Sequence, residues 1–150
     1  MKRESYNISF LSVNGVGSTN TNKTFNFDFN QIHDDGHFEM TWTFSSGVNN
    51  LGAIKPAYVY LDIGQTNSYI SNTSHTGSIT KLIGALWANN TGNYACFQNA
   101  TNSNPPIYID SLKSITSVNI SILNDTGAYW TDGSSIDLAN YVLTLHLKPV

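Results

Sequence analysis

The segment His33-Asp34-Asp35-Gly36-His37 is the densest group of side chains that could do chemistry, with two imidazoles and two carboxylates in five positions. Both kinds of group are ligands for divalent metals such as zinc. The alternative is a hairpin whose turn is Asp35-Gly36 and which joins a strand around Phe25 to a strand starting near Phe38. No further ligand group with metal-site spacing occurs elsewhere in the chain. We therefore predict a solvated turn here and no metal site.

Acid–base and nucleophilic catalysis both lack candidate residues. Among the few carboxylates, Asp62 and Asp110 lie at predicted strand ends, where they would accept hydrogen bonds from loop N–H groups. No G-x-S-x-G motif, phosphate loop, dinucleotide fingerprint or thiolate metal site occurs in the sequence. Cys96, the single cysteine, is predicted to be a buried and unreactive thiol. We predict that the protein is not an enzyme and has no catalytic residue and no cofactor.

Aromatic side chains beside predicted loops are the remaining candidates for contact with a ligand. An exposed ring can stack on a sugar while neighbouring Asn and Asp side chains bond its hydroxyl groups. The candidates are Trp87, Tyr94, Tyr129 and Trp130. In the interpretation that we favour, Trp42 and Trp87 lie in the core, and Tyr129 and Trp130 cover one end of the fold.

The elements that must position these residues are β-strands, because apolar and polar residues alternate along much of the chain. Each strongly alternating segment is predicted to be a half-buried antiparallel strand. The inward-facing sets are Phe25, Phe27 and Phe29; Phe38, Met40, Trp42 and Phe44; Val59, Leu61 and Ile63; Val118, Ile120 and Ile122; and Tyr141, Leu143, Leu145 and Leu147. Weaker strands are predicted at 6–13, 80–87, 94–98 and 107–110.

The alternation also predicts which large residues face outward. Tyr58, Tyr60 and Val142 oppose inward-facing neighbours, and exposed residues of this size favour association. We expect a symmetric homo-oligomer, a trimer or a pentamer, or else a subunit that is stable only in its assembly. The last strand is predicted to be an inner strand, hydrogen-bonded on both sides and packed against the Phe38–Phe44 face, because four large apolar side chains do not suit a frayed edge.

Composition sets the class of the fold. The 150 residues are enough for one domain. Asn, Ser and Thr make up about a third of them and charged residues only 11%, so residues that fill exposed helix faces are too few for a helical bundle. A content of 40% hydrophobic residues argues against disorder. We predict an all-β domain over residues 1–150, an antiparallel two-sheet β-sandwich that forms a single jelly roll of about eight strands.

Charge and targeting signals limit the expected partners. The net charge of −3 predicts no nucleic-acid partner, and no apolar stretch is long enough for membrane insertion. The charged start lacks an apolar h-region, so no signal peptide is predicted, and the single cysteine suits a reducing compartment. Seven N-x-S/T sequons suggest a secreted glycoprotein instead, but we interpret them as a by-product of the Asn-rich composition. They begin at Asn7, Asn22, Asn72, Asn89, Asn99, Asn119 and Asn124.

The order of these strand patterns resembles that of a known family. The runs are FNFDF at 25–29, AYVYLDIGQTNSY at 57–69, IGAL at 83–86 and NYVLTLHL at 140–147. Over residues 22–148 the series is similar to small jelly-roll minor capsid and other virion structural proteins of large DNA viruses, virophages and polinton-like viruses of protists and algae. The order and spacing of the runs, rather than a single motif, carry the resemblance.

The resemblance implies a virion structural protein, such as a minor capsid, vertex or cement/decoration subunit. Its implied partners are the major capsid protein or other virion subunits, and its implied location is the virion, after synthesis in the host cytoplasm. The low content of charged residues agrees with this role, because burial of a poorly paired ion in an interface costs on the order of several kcal/mol. The alternative is a carbohydrate- or receptor-binding β-sandwich module, such as the head of a viral fibre or spike.

Overall fold

The computed structural model describes residues 2–27, 32, 36–50, 55–63, 82–91, 94–99, 106–109, 112, 115–132 and 136–150. These residues form eleven β-strands and one turn of 3-10 helix at Ser12–Asn14, so the predicted all-β class is confirmed. The strands are β1 (Tyr6–Leu11), β2 (Val16–Thr19), β3 (Asn22–Asn26), β4 (Phe38–Ser46), β5 (Asn49–Asn50), β6 (Ala57–Asp62), β7 (Leu82–Thr91), β8 (Tyr94–Gln98), β9 (Ile107–Ile109), β10 (Ser117–Leu123) and β11 (Tyr141–Pro149). Within the described ranges, no helix is long and apolar enough to cross a membrane.

The strands form a continuous antiparallel sheet that curls into a half-barrel. The order across the sheet is β1-β11-β4-β8-β7-β6-β10-β3-β2, with β5 also beside β8 and β9 beside β4. The sheet curls at β7, because residues 82–86 of this strand pair with β6 whereas its residues 87–91 pair with β8. The antiparallel pairing expected from the alternation is therefore confirmed.

The apolar core is built from the inward-facing sets that the alternation predicted. The buried members are Phe25, Phe38, Met40, Trp42, Phe44, Val59, Leu61, Ile63, Val118, Ile120, Ile122, Tyr141, Leu143, Leu145 and Leu147. Phe27 is partly buried and packs against this cluster, whereas Phe29 lies outside the described residues. The indole N–H of Trp42 donates to the carbonyl oxygen of Ile83 at 3.2 Å. This bond links β4 to β7, two strands that are not neighbours in the sheet.

β11 is an inner strand, as predicted. It pairs with β1 on one side and with β4 on the other, and its register with β4 runs from Tyr141 to Pro149. The contact with the Phe38–Phe44 face differs from the prediction, because β4 lies beside β11 in the same sheet rather than opposite it. Leu145, for example, is flanked by Ile8 and Trp42.

The predicted hairpin between the strand of Phe25 and the strand of Phe38 is wrong. β3 pairs with β2 and β10, whereas β4 pairs with β11, β8 and β9. The Asp35-Gly36 turn signal is local, but each strand extends its buried face beside partners from distant parts of the chain. His33, Asp34 and Asp35 lie outside the described residues, so the absence of a metal site there stays a prediction.

Two side chains differ in burial from what the alternation predicted. Tyr60 was expected to face outward, yet it is only 6% exposed. The register between β6 and β7 shifts between Val59 and Tyr60, and strict alternation fails at such a bulge. Cys96 is half-buried rather than buried, because it alternates with the inward-facing Ala95 and Phe97 and so faces the other side of β8.

Candidate functional site

A cleft lies where β7 changes partner. Leu86 is the last residue of β7 that pairs with β6, and Trp87 is the first that pairs with β8. The open cleft beside this point has a volume of about 340 Å³, near the lower end of the range of about 300–1,000 Å³ that is typical of ligand pockets. Its mostly apolar wall, which defines what we call the Trp87 cleft, includes Lys55, Pro56, Tyr58, Leu86, Trp87 and Phe97.

Trp87 presents an exposed aromatic surface in this cleft. Its side chain is 59% exposed, whereas Leu86 before it is buried. The favoured prediction that Trp87 belongs to the core is therefore wrong. The apolar run at 82–88 suggests a strand that is buried on both faces, but adjacent side chains of a strand point to opposite faces. Leu86 faces the core, and Trp87 faces away from it.

Trp130 supports the cleft from inside and is not accessible to a ligand. The residue is 2% exposed, and its ring contacts that of Phe97 edge to face, with centroids 5.1 Å apart. Its indole N–H donates to the carbonyl oxygen of Lys55 at 3.2 Å. The same residue therefore holds both the β8 wall and the segment that leads into β6. A residue that is buried to this extent does not contact a ligand directly, and cover of one end of the fold stays a prediction.

The two tyrosine candidates do not add to the described wall of the cleft. Tyr94 belongs to β8, but its side chain lies outside the part of the structure that we describe. Tyr129 is 51% exposed, and its hydroxyl oxygen accepts a hydrogen bond from the side-chain amide of Asn22 at 3.0 Å. Tyr129 also forms an isolated bridge with Leu123. It is an exposed aromatic that is held at a separate place on the surface.

Sequence reasoning did not identify Lys55, Tyr58 or Phe97 as members of a site. No motif or spacing connects them with Trp87 along the chain. They come together only because β6 and β8 both pair with β7. The detectable signal was the position of a large aromatic residue directly after the inward-facing Leu86.

The wall of the cleft carries a positive charge without a negative one. Lys55 is half-buried, and none of the described wall residues is Asp or Glu. The described residues contain no group of three or more His, Cys, Asp and Glu that could hold a metal ion. An aromatic ring, apolar side chains and one amine can bind an apolar group that carries a negative charge. The described wall offers no pair of nucleophile and base for covalent chemistry.

A second surface, the outer face of β1, β11 and β4, carries a ladder of neutral polar side chains next to the charged cross-strand pair Glu39 and Lys148. The hydroxyl groups of Ser9 and Thr144 are hydrogen-bonded at 2.8 Å. The ring of His146 contacts Asn7 Oδ1 through Nδ1 at 2.8 Å and Thr43 Oγ1 through Nε2 at 3.2 Å. The tautomer with a proton on Nδ1 satisfies both contacts without a charge. This face is suited to close contact with another molecule.

Comparison with protein-family models finds no family that matches the chain. A search of curated proteins likewise finds no match.

Proposed function

We propose that the protein is a virion structural protein, a minor capsid, vertex or cement/decoration subunit that acts through protein–protein contacts with the capsid shell. The observation that carries the proposal is the nested pairing of the eight strands of five residues or more. Among these strands β1 pairs with β11, β3 with β10, β4 with β8 and β6 with β7. The first strand thus pairs with the last, and each following pair lies inside the one before it.

Nested pairing is what a single jelly roll requires, because that fold wraps a long antiparallel hairpin into two four-stranded sheets. On this proposal one sheet is β1-β11-β4-β8, the other is β3-β10-β6-β7, and the β7–β8 connection joins them. Viral capsid domains are among the main users of the jelly roll. The fold admits other functions, so the surfaces must also suit the role.

The surface chemistry supports a role in assembly. The hydroxyl, amide and imidazole groups of the ladder on β1, β11 and β4 are hydrogen-bonded to one another, so a partner that covers them leaves few polar atoms unsatisfied. Association also needs apolar area, and Leu11, Val13 and Val16 are 41%, 63% and 69% exposed within six consecutive positions. We propose that they support a homo-oligomer, a trimer or a pentamer, in place of Tyr60, which is buried, and of Tyr58 and Val142, which are half-buried.

Sedimentation of the purified chain together with mass spectrometry of purified virus particles tests this proposal. We expect a trimer or a pentamer in solution and a constant number of copies per particle, alongside the major capsid protein. A monomer at all concentrations, combined with absence from particles, would contradict the proposal.

A carbohydrate- or receptor-binding module is the second candidate. The observation that favours it is the 59% exposure of Trp87 beside a cleft, since an exposed ring can stack on a sugar. A glycan array separates the two candidates. A monomer that binds a defined glycan, and that loses the binding when Trp87 is replaced by Ala, would favour this second function.

A further inference from the structure

We propose that the Trp87 cleft is the docking site for a short segment of a partner protein, in which an apolar side chain stands next to an acidic one. The inference rests on the proposed function and deepens it, because it names the kind of protein contact that this surface makes. It is carried by the lining, the charge and the internal support of the cleft.

The lining selects an apolar anchor. Leu86 and Phe97 form apolar walls, while Trp87 adds an exposed ring. A cavity of about 340 Å³ accepts one or two side chains and is too small for a helix or a whole sheet edge. Trp is also the residue type that most often carries the energy of a protein interface. A sugar would need several placed polar groups around it, and the described wall offers few besides Lys55, Tyr58 and the indole N–H of Trp87.

The charge selects the neighbour of that anchor. Lys55 is the one charged residue of the described wall, and no described wall residue is a carboxylate. A cation without a described carboxylate neighbour in the wall is complementary to a segment that brings one carboxylate. The whole chain has a net charge of −3, whereas the charged part of the described cleft wall is positive.

The cleft is also supported before anything binds. The Trp130 side chain contacts the Phe97 ring and donates its indole N–H to the carbonyl oxygen of Lys55, while the backbone N–H of Trp130 donates to the carbonyl oxygen of Ile122 in β10 at 3.0 Å. One buried side chain therefore holds two walls of the cleft, and the backbone of the same residue is bonded to β10. A site that does not need to be ordered on binding loses less entropy when its ligand arrives.

Nuclear magnetic resonance titration of the labelled, full-length chain with three capped tetrapeptides tests the proposal. The peptides are acetyl-Ala-Leu-Asp-Ala-amide, its Leu-Asn counterpart and its Ser-Asp counterpart. We expect the Leu-Asp peptide to bind with a millimolar dissociation constant, as a single anchor allows, and to shift the indole N–H signal of Trp87. The Leu-Asn peptide should bind about two- to fivefold more weakly, as expected for an exposed ion pair. The Ser-Asp peptide should produce no shift.

Variants identify the site. Trp87→Ala should weaken the Leu-Asp peptide at least about tenfold, and Lys55→Gln should remove the difference between the Leu-Asp and Leu-Asn peptides. Tyr129→Ala, which removes an aromatic of comparable exposure (51% against 59%) from a separate place, is the matched control and should leave binding of all three peptides unchanged. Thermal melting checks that all three variants are folded.

Lack of binding by the Leu-Asp peptide, or binding that Trp87→Ala leaves unchanged, would overturn the inference. A glycan that binds through Trp87 would replace it with the carbohydrate function. Failure here is distinguishable from failure of the proposed function, because presence in virus particles is measured without the peptides. A particle protein that ignores the Leu-Asp peptide would contradict only the docking inference.

Discussion

The hydroxyl group of Tyr141 is buried without a hydrogen-bond partner among the described residues. Its ring stacks on that of Phe44 with centroids 4.9 Å apart, so the residue has a packing role that does not need the oxygen. Burial, helped by the negative charge of Asp137, raises the pKa of Tyr141 above its ordinary value of 10.0. The folded protein therefore favours the neutral phenol more strongly than the unfolded chain does.

We expect Tyr141→Phe to leave the free energy of unfolding at pH 7 unchanged or to raise it by about 1–2 kcal/mol, since it removes an unsatisfied polar atom and keeps the ring.

The raised pKa of Tyr141 also makes the stability of the protein depend on pH. Below pH 10 the raised pKa does not change the free energy of unfolding. Above pH 10 the free energy of unfolding falls, because the unfolded chain releases the Tyr141 proton more readily than the folded protein does. Urea denaturation from pH 7 to pH 11 should show a steeper decline for the wild type than for Tyr141→Phe. A variant that is less stable at pH 7 would show that the hydroxyl has a partner.

The side chain of Asn99 bonds the backbone of β4 on the edge where β8 and β9 also pair with that strand. Its side-chain oxygen accepts from the backbone N–H of Phe44 at 2.7 Å, and its amide nitrogen donates to the carbonyl oxygen of Trp42 at 2.6 Å. Both bonds are buried, and they fall between the residues of β4 that pair with β8 and those that pair with β9. Because Asn99 is only 9% exposed and both of its polar atoms are bonded to β4, we expect the Asn99 sequon to carry no glycan in the folded protein.

We expect Asn99→Ala to lower the free energy of unfolding by about 2–4 kcal/mol, because two buried backbone groups would lose their partners at about 1–3 kcal/mol each. Asn89→Ala is the matched control: Asn89 also begins a sequon but is exposed, so its replacement should stay within about 0.5 kcal/mol. Chemical denaturation of both variants measures the difference. Equal effects would contradict the bridging role of Asn99.

At the scale of the strands, β11 is the element whose loss we expect to destabilise the fold most. It supplies four buried side chains and pairs along both of its edges. We expect deletion of residues 141–150 to abolish cooperative unfolding, since full burial of each such side chain contributes about 1.5–3 kcal/mol. Circular dichroism with thermal melting measures this outcome, and a soluble truncated chain that still melts cooperatively would contradict it.

Deletion of residues 1–5 is the matched control for the loss of β11. It removes Arg3, whose guanidinium donates to the carbonyl oxygens of Val150 at 2.8 Å and His37 at 2.9 Å and lies 5.2 Å from the centre of the Phe38 ring. These contacts are exposed, so we expect a loss of about 1–2 kcal/mol while the fold is retained.

Alternation along the chain predicted which residues of each strand are buried, but it could not predict which strands pair. The prediction that Met40 and Leu145 lie in the core is confirmed, because the apolar or polar character of a residue depends on whether that position itself is buried. The partner of β3 was predicted wrongly because the turn signal at Asp35-Gly36 carries no information about β10. The Trp87 cleft escaped prediction for the same reason. Its wall joins positions 55–58, 85–88 and 97, which only the pairing of β6, β7 and β8 brings together.

For the whole molecule, the nested pairing has a consequence for folding. β1 and β11 lie at opposite ends of the chain, yet they are neighbours in the sheet. Proteins dominated by such distant contacts fold slowly, on the order of milliseconds to seconds. The β1–β11 end of the curled sheet can therefore form only when the whole chain is available, whereas the β2–β3 end is a local hairpin.

For self-association, we expect the connection between β1 and β2 to form the contact between copies of the chain. Val13 and Val16 are 63% and 69% exposed, so the double variant Val13→Asp, Val16→Thr should leave the melting temperature of the subunit nearly unchanged. It should convert the expected oligomer to a monomer, because a charge placed in an apolar contact must be desolvated without a partner. Tyr108→Ser, which removes an exposed apolar side chain from β9, is the matched control and should keep the oligomer. Sedimentation velocity measures all three proteins. An oligomer that survives the double variant but dissociates in Tyr108→Ser would move the contact from the β1–β2 connection to β9.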